Sequence, residues 1–241
     1  MTYAKYQKEK ITLYVMRSVF AALFIIIIAG CADPKEEPSA IIAGQEYFPL
    51  KAGSFIIYNV DSTRIIQNVA DEYKYQLRVT VLDSFKNEEG NITYRLQREK
   101  RADESQAWKA AGTWSAYKSV KQAVVTQGTV SYIKLSFPSS VGTGWNGNAL
   151  NDLGGEDACN NNSKCDHYVV TEMDSILEVT QEDRDDVIMT DKRIERYSKD
   201  VGLTYKSTTT LEYCTGECPG IDNYVIDGLE YKQEMISSGT L

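Results

Sequence analysis

Along residues 75–81, YQLRVTV, apolar and polar positions alternate, which puts Tyr75, Leu77, Val79 and Val81 on one face. ITYRLQR at 92–98 repeats the alternation with Ile92, Tyr94 and Leu96. A period of two, carried by β-branched and aromatic residues, predicts half-buried antiparallel strands. Between the two runs Asn87, Gly90 and Asn91 supply turn chemistry, so a hairpin is expected. Further strand-like runs fall at residues 54–60, 130–137, 175–180, 186–190, 192–198, 203–213 and 224–234. No dozen residues keep a helical stripe, and the best helical stretches are short, at 102–111 and 120–124. The expected fold is all-β and mainly antiparallel: a sandwich, or a curved sheet approaching a partly open barrel, with few short helices.

Two turns share a spacing. Phe48-Pro49 is followed by Gly53, and Phe137-Pro138 by Gly142. Proline cannot extend a hydrogen-bonded ladder and glycine admits a positive φ, so each copy is suited to end one strand and begin another. Three matches in six positions are read as shared turn chemistry. Asn146-Gly147 carries a type I′ turn signal, Trp145 beside it reads as a core anchor, and Val201-Gly202-Leu203 reads as a strand entry after a tight turn.

The N-terminal region has a different pattern. Residues 18–30 form an uncharged run rich in Ile, Phe and Ala, preceded by Lys5, Lys8, Lys10 and Arg17. Thirteen residues suit a signal-peptide core better than a spanning helix, which needs about 20. The run ends Ile28-Ala29-Gly30-Cys31, which resembles the lipobox of bacterial lipoproteins. The resemblance implies cleavage before Cys31 and acyl chains on its thiol and amine, each buried methylene contributing about 0.8 kcal/mol to anchoring. Residues 1–30 are then the signal peptide. Met16-Arg17 would itself begin a conventional one, which on that reading makes residues 1–15 an upstream extension. Residues 31–43, polar and interrupted by Pro34 and Pro38, read as a tether, and 44–241 as a single β-rich extracytoplasmic domain. Lys35-Glu36-Glu37 is similar to the surface-export cluster of some Gram-negative lipoproteins, although it sits a few positions late.

Charge narrows the partners. The chain carries a formal −8, and without residues 1–30 it keeps 22 basic and 33 acidic residues, a net −11. Such a surface repels nucleic acid and anionic headgroups, so the expected membrane attachment is the lipid on Cys31 alone.

Three further blocks carry a family resemblance. They are YFPLKAG at 47–53 with Tyr58, YIKLSFP at 132–138 with GWNGN at 144–148, and ERYSKDVGLTY at 195–205. Together they resemble an uncharacterised Bacteroidota lipoprotein family sharing FPLK-G, KL-FP with WNGN, and VGL-Y blocks. The chain departs at Phe55-Ile56, where tryptophan is usual, and at Ser198, where alanine is usual. The resemblance implies export and a shared β fold and transfers no catalytic residue; the expected location is the outer membrane, lipid-anchored, on its periplasmic face or at the cell surface.

Four cysteines remain: Cys159 and Cys165, then Cys214 and Cys218. In an exported protein an even number reads as disulfides. Three pairings are open, of which Cys159–Cys165 with Cys214–Cys218 needs the least chain ordering. A zinc site using these cysteines and His167 is disfavoured by intervals of five and three residues in an oxidising compartment. Residues 182–186, EDRDD, lack the glycine and spaced ligands of an EF-hand loop, so no metal and no cofactor beyond the lipid is expected.

Catalytic constellations fail as well. His167 is the sole histidine, no G-x-S-x-G elbow exists, and no glycine-rich loop opens a helix. Ser115-Ala-Tyr-Lys118 matches S-x-x-K within a strand-like context, where the motif does not function. Paired carboxylates are too numerous to single out. No catalytic residue is therefore assigned. The favoured reading is a non-catalytic interaction module of the envelope with a protein or glycan partner; the alternative is a carrier whose curved sheet encloses a lipid or other apolar ligand. One feature separates them: a carrier must leave its interior open, and a module fills it.

Overall fold

The computed structural model describes residues 42–88, 90–151 and 167–241. The signal peptide, Cys31, most of the tether, Cys159 and Cys165 lie outside the described residues. Twelve strands are described: β1 (Ser54–Ile66), β2 (Val69–Lys86), β3 (Ile92–Arg101), β4 (Lys109–Lys118), β5 (Gln122–Gln127), β6 (Val130–Ser136), β7 (Gly144–Asn146), β8 (His167–Met173), β9 (Ile176–Asp185), β10 (Met189–Ser198), β11 (Gly202–Tyr213) and β12 (Val225–Thr240). All pairings are antiparallel, in one sheet ordered β6-β5-β4-β3-β2-β1-β12-β11-β10-β9-β8-β7.

The hairpin expected at 75–98 is present as β2 and β3. Its turn is held by the Asn87 N–H donating to Asn91 O at 3.0 Å and the Asn91 N–H donating to Asn87 Oδ1 at 2.8 Å. The two helical expectations are corrected. Residues 102–108 form a turn leading into β4, and 120–121 a turn leading into β5. Cross-strand pairing overrides local propensity in the rest of both stretches, with Ala110 set opposite Glu99 and Val124 opposite Tyr117. The separate runs at 186–190 and 192–198 are one strand, β10. It starts only after Asp186, whose carboxylate accepts the backbone N–H groups of Ile188 and Met189 at 2.8 and 3.0 Å and so forms a turn. Among the described residues the one helical element is a 3₁₀ turn, Gln45–Tyr47.

The sheet curls into a nearly closed barrel, and its two edge strands meet through a seam rather than a ladder. The Ile133 N–H of β6 donates to Gly147 O just after β7 at 2.9 Å, and the Trp145 indole N–H returns a bond to Ile133 O at 2.9 Å. Asn151 Nδ2 donates to Ser131 O at 2.7 Å beside them. Trp145 is thus a structural anchor, edge-on to the Tyr168 ring at 5.8 Å. The type I′ turn expected at Asn146-Gly147 is not formed, since neither residue has a positive φ. Glycine is needed at 147 for a different reason: a Cβ there would stand 2.4 Å from the Tyr168 ring.

The repeated Phe-Pro-x-x-x-Gly spacing acquires a structural meaning. Gly53 (φ 87°) opens the six strands β1 to β6, and Gly142 (φ 88°) opens β7 to β12. The Gly53 N–H donates to Val81 O at 2.7 Å, and the Gly142 N–H to Val170 O at 2.8 Å, each 28 residues ahead. The pairs Phe55 with Thr80 and Ile56 with Val79 recur as Gly144 with Val169 and Trp145 with Tyr168, every residue displaced by 89. Both halves of the barrel therefore begin with the same hairpin register. The two turns also touch, the Ser139 N–H donating to Ala43 O at 2.8 Å, and Phe48 and Phe137 are both buried in the main core.

The segment before β1 closes this end of the barrel. Tyr47 is fully buried and its hydroxyl donates to Asp174 O at 2.6 Å, while the Asp200 N–H donates to Glu46 O at 2.8 Å. Gly44 (φ 95°) must be glycine, because a Cβ would lie 2.2 Å from Ser139 Oγ. All described strands belong to one unit, Ile42–Leu241.

Candidate functional site: a charged cavity inside the barrel

Five of the alternating positions read from the sequence, Tyr75, Leu77, Val79, Val81 and Leu96, become the inner wall of a cavity of about 700 Å³, while Ile92 is exposed at the far end of its strand. Val60 opposite Tyr75, Tyr58 opposite Leu77, Ile56 opposite Val79 and Val81 opposite Leu96 follow from the β1–β2–β3 register. Tyr58, Tyr75, Leu77, Val79, Val81 and Leu96, with Trp114 and Val125 from β4 and β5, line its apolar side. Phe48, Leu50, Phe55 and Leu203 line it near the closing segment, where the exposed Lys51, Asp200 and Thr240 form a rim.

The opposite wall is polar. On β6 the register slips between Ala123 and Val124 of its partner, leaving Lys134 as the extra residue of a β-bulge. Bulges re-aim side chains, and this one is consistent with Lys134 pointing inward from a strand otherwise rich in apolar residues. Its Nζ donates to Glu195 Oε1 of β10 at 2.6 Å, and Lys206 Nζ of β11 stands 3.5 Å from the same oxygen. The Tyr197 hydroxyl donates to Glu195 Oε2 at 2.5 Å. Glu195 is 1 % exposed, so both its oxygens are satisfied without bulk water.

Burial alone would raise the Glu195 carboxyl, but the ammonium groups of Lys134 and Lys206, with the hydrogen bonds from Lys134 and Tyr197, outweigh it and hold the carboxyl down at about 2. Burial lowers Lys134 in turn, against the attraction of Glu195, and pushes the Tyr197 phenol well above its ordinary value, aided by the carboxylate beside it. The firm charge of the group is the Glu195 carboxylate, because three donors converge on it. Tyr58 and Tyr231 are raised chiefly by burial and are neutral donors; the Tyr58 hydroxyl donates to Leu203 O at 2.8 Å and that of Tyr231 to Gln233 Oε1 at 2.7 Å.

Arg98 faces the cavity from β3, continuing the Ile92, Tyr94, Leu96 alternation by one step. Its guanidinium lies 3.7 Å over the Trp114 ring, and its cross-strand neighbour Gly112 puts no side chain in the way. Its Nε is buried without a hydrogen-bond partner, and among the described residues it has no carboxylate partner. Burial lowers its pKa. The cavity lining as a whole holds four basic residues, Lys51, Arg98, Lys134 and Lys206, against two acidic ones, Glu195 and Asp200. A chain of net −8 therefore encloses a cavity of net +2.

The residues singled out from sequence fall elsewhere. Cys214 and Cys218 are disulfide-bonded at 2.00 Å in the loop after β11. His167 is exposed at the start of β8. In the acidic run Arg184 pairs with Asp186 at 2.6 Å and Lys192 with Asp185 at 2.5 Å. Among the described residues no three His, Cys, Asp or Glu side chains are grouped to share a metal ion. Ser115 and Lys118 lie on β4, and Lys118 Nζ donates to Gln45 O at 2.9 Å as part of the closure. Sequence reasoning passed over Arg98, Lys134 and Glu195. The signal for Arg98 was legible, a charge on an apolar face; that for Lys134 was masked by the bulge, which breaks the period of two.

Neither a family model nor a curated protein matches this chain. The barrel-like fold and its cavity are suited to holding a ligand.

Proposed function

We propose that this protein binds a small amphipathic molecule inside its barrel and holds it at the cell envelope, as a carrier. The observation that carries this reading is the cavity of about 700 Å³, a size typical of small-molecule sites, at roughly 300–1,000 Å³. A protein acting only through its surface gains stability by filling its interior, whereas here Val79, Val81 and Val125 leave space beside Trp114. The mix of apolar wall and few convergent polar groups suits a ligand with an apolar body and a polar end. The carrier reading therefore ranks above the surface module. In this proposal the lipid on Cys31 keeps the barrel at the outer membrane, where such a ligand is plentiful.

The test is displacement of an environment-sensitive apolar dye from the full-length protein, compared with Val79→Phe, which fills the cavity from its apolar side. The expected result is saturable dye binding at one site, weakened at least tenfold by V79F at unchanged melting temperature. Equal binding by the filled variant would refute an interior site.

A further inference from the structure

We infer that the ligand is an amphipathic anion whose acidic head is received by Arg98 on its Trp114 platform; this rests on the carrier reading above.

Six of the eight described arginines, Arg64, Arg78, Arg95, Arg184, Arg193 and Arg196, pair with a carboxylate. A seventh, Arg101, donates its Nε to Gln76 Oε1 at 2.7 Å. Arg98 alone among the described arginines makes neither kind of contact, although it faces the interior and its Nε is fully buried. Buried guanidinium groups are normally paired, and one that is stacked and unpaired presents its donors in a fixed fork matching a carboxylate or phosphate. The residues that interact electrostatically with it are the phenols Tyr58, Tyr75 and Tyr231, which bring no negative charge to offset it.

The second cationic group cannot serve as the main receiver, because Glu195 already neutralises Lys134 at 2.6 Å. Lys206 shares that carboxylate at 3.5 Å, so the polar wall keeps one surplus positive charge facing the same space. An entering anion therefore meets surplus positive charge on both sides. A cationic head would meet Arg98 and Lys206 at once, and a neutral one could accept an N–H bond but would leave the guanidinium charge without a counter-charge. Leu77, Val79, Val81 and Leu96 supply the wall for the apolar body next to that head.

The experiment uses delipidated full-length protein titrated calorimetrically with four sixteen-carbon probes: hexadecanoate, hexadecyl phosphate, hexadecanol and hexadecylammonium. At least one anion is expected to bind tenfold or more tightly than the alcohol, and the ammonium weakest. Preference for carboxylate or phosphate tells a fatty acid from a phosphorylated lipid. Arg98→Gln should abolish the anion's advantage while leaving hexadecanol affinity unchanged, and Arg98→Lys should keep part of it. Without ligand, R98Q should melt no lower than the parent, since it removes a half-buried charge that has no carboxylate partner among the described residues. Equal affinity for anion and alcohol in the parent, or an advantage that survives R98Q, overturns the head-group assignment and leaves the carrier reading standing. Failure of all four probes to bind overturns both.

Discussion

Lys134 and Glu195 lie 61 residues apart in the chain and meet inside the barrel, Nζ to Oε1 at 2.6 Å. They belong to β6 and β10, which are not neighbours in the sheet, so the pair ties opposite parts of the wall together. Burying two charges is costly, and breaking such a pair costs about 3–5 kcal/mol, chiefly from the charge left behind. Lys134→Met is expected near the lower end of that range, since Lys206 and Tyr197 still face Glu195. The double variant Lys134→Met, Glu195→Leu should recover most of the loss. Urea unfolding of the three proteins measures both effects.

The same carboxylate sets an acid limit. Its folded pKa, about 2, lies below its ordinary 4.5, so its contribution to stability is complete above about 4.5 and is lost as pH falls toward 2. Surface carboxylates such as Asp186, also lowered, contribute in the same direction, so the comparison must be a difference. Parent minus Glu195→Gln stability, measured by thermal unfolding across pH 5 to 2, should shrink steadily as pH falls. A constant difference would place the origin of acid unfolding elsewhere.

Seam closure depends on a missing side chain. Gly147→Ala drives a Cβ into the Tyr168 ring and is expected to destabilise by about 1–3 kcal/mol, the usual cost of overpacking. Gly216→Ala, where a Cβ meets nothing within 4 Å, should be neutral or slightly stabilising. Amide exchange at Ile133, whose N–H bonds to Gly147 O, should quicken in the first variant alone.

The envelope address is tested by fractionation. If Cys31 carries the lipid, Cys31→Ala leaves the membrane fraction for the soluble one, with the barrel still folded. Retention of the variant in membranes would contradict the anchor.

Much of the barrel was legible because one face of most strands is apolar: the alternations from Tyr75 to Val81 and from Ile92 to Leu96 gave the hairpin, and Tyr75, Leu77, Val79, Val81 and Leu96 became the wall. β4 and β5 were obscured, since Lys109 and Ala110 carry little strand propensity and are held in the sheet by pairing with Lys100 and Glu99 of β3. Whether the strands close into a barrel was not legible, because closure rests on Trp145, Gly147 and Asn151 reaching across the seam. The site was harder still. Arg98 and Glu195 are each embedded among other charged residues that point outward or pair on the wall, and Lys134 and Glu195, 61 residues apart, meet only in three dimensions.

A carrier must be found with its cargo inside the barrel. Native mass spectrometry of the full-length protein, purified from its own envelope and followed by solvent extraction, tests this most directly. The expected spectrum shows one reproducible added mass near unit stoichiometry, lost on extraction and recovered as an amphipathic anion. A bare protein mass in every preparation, with nothing in the extract above background, would contradict it.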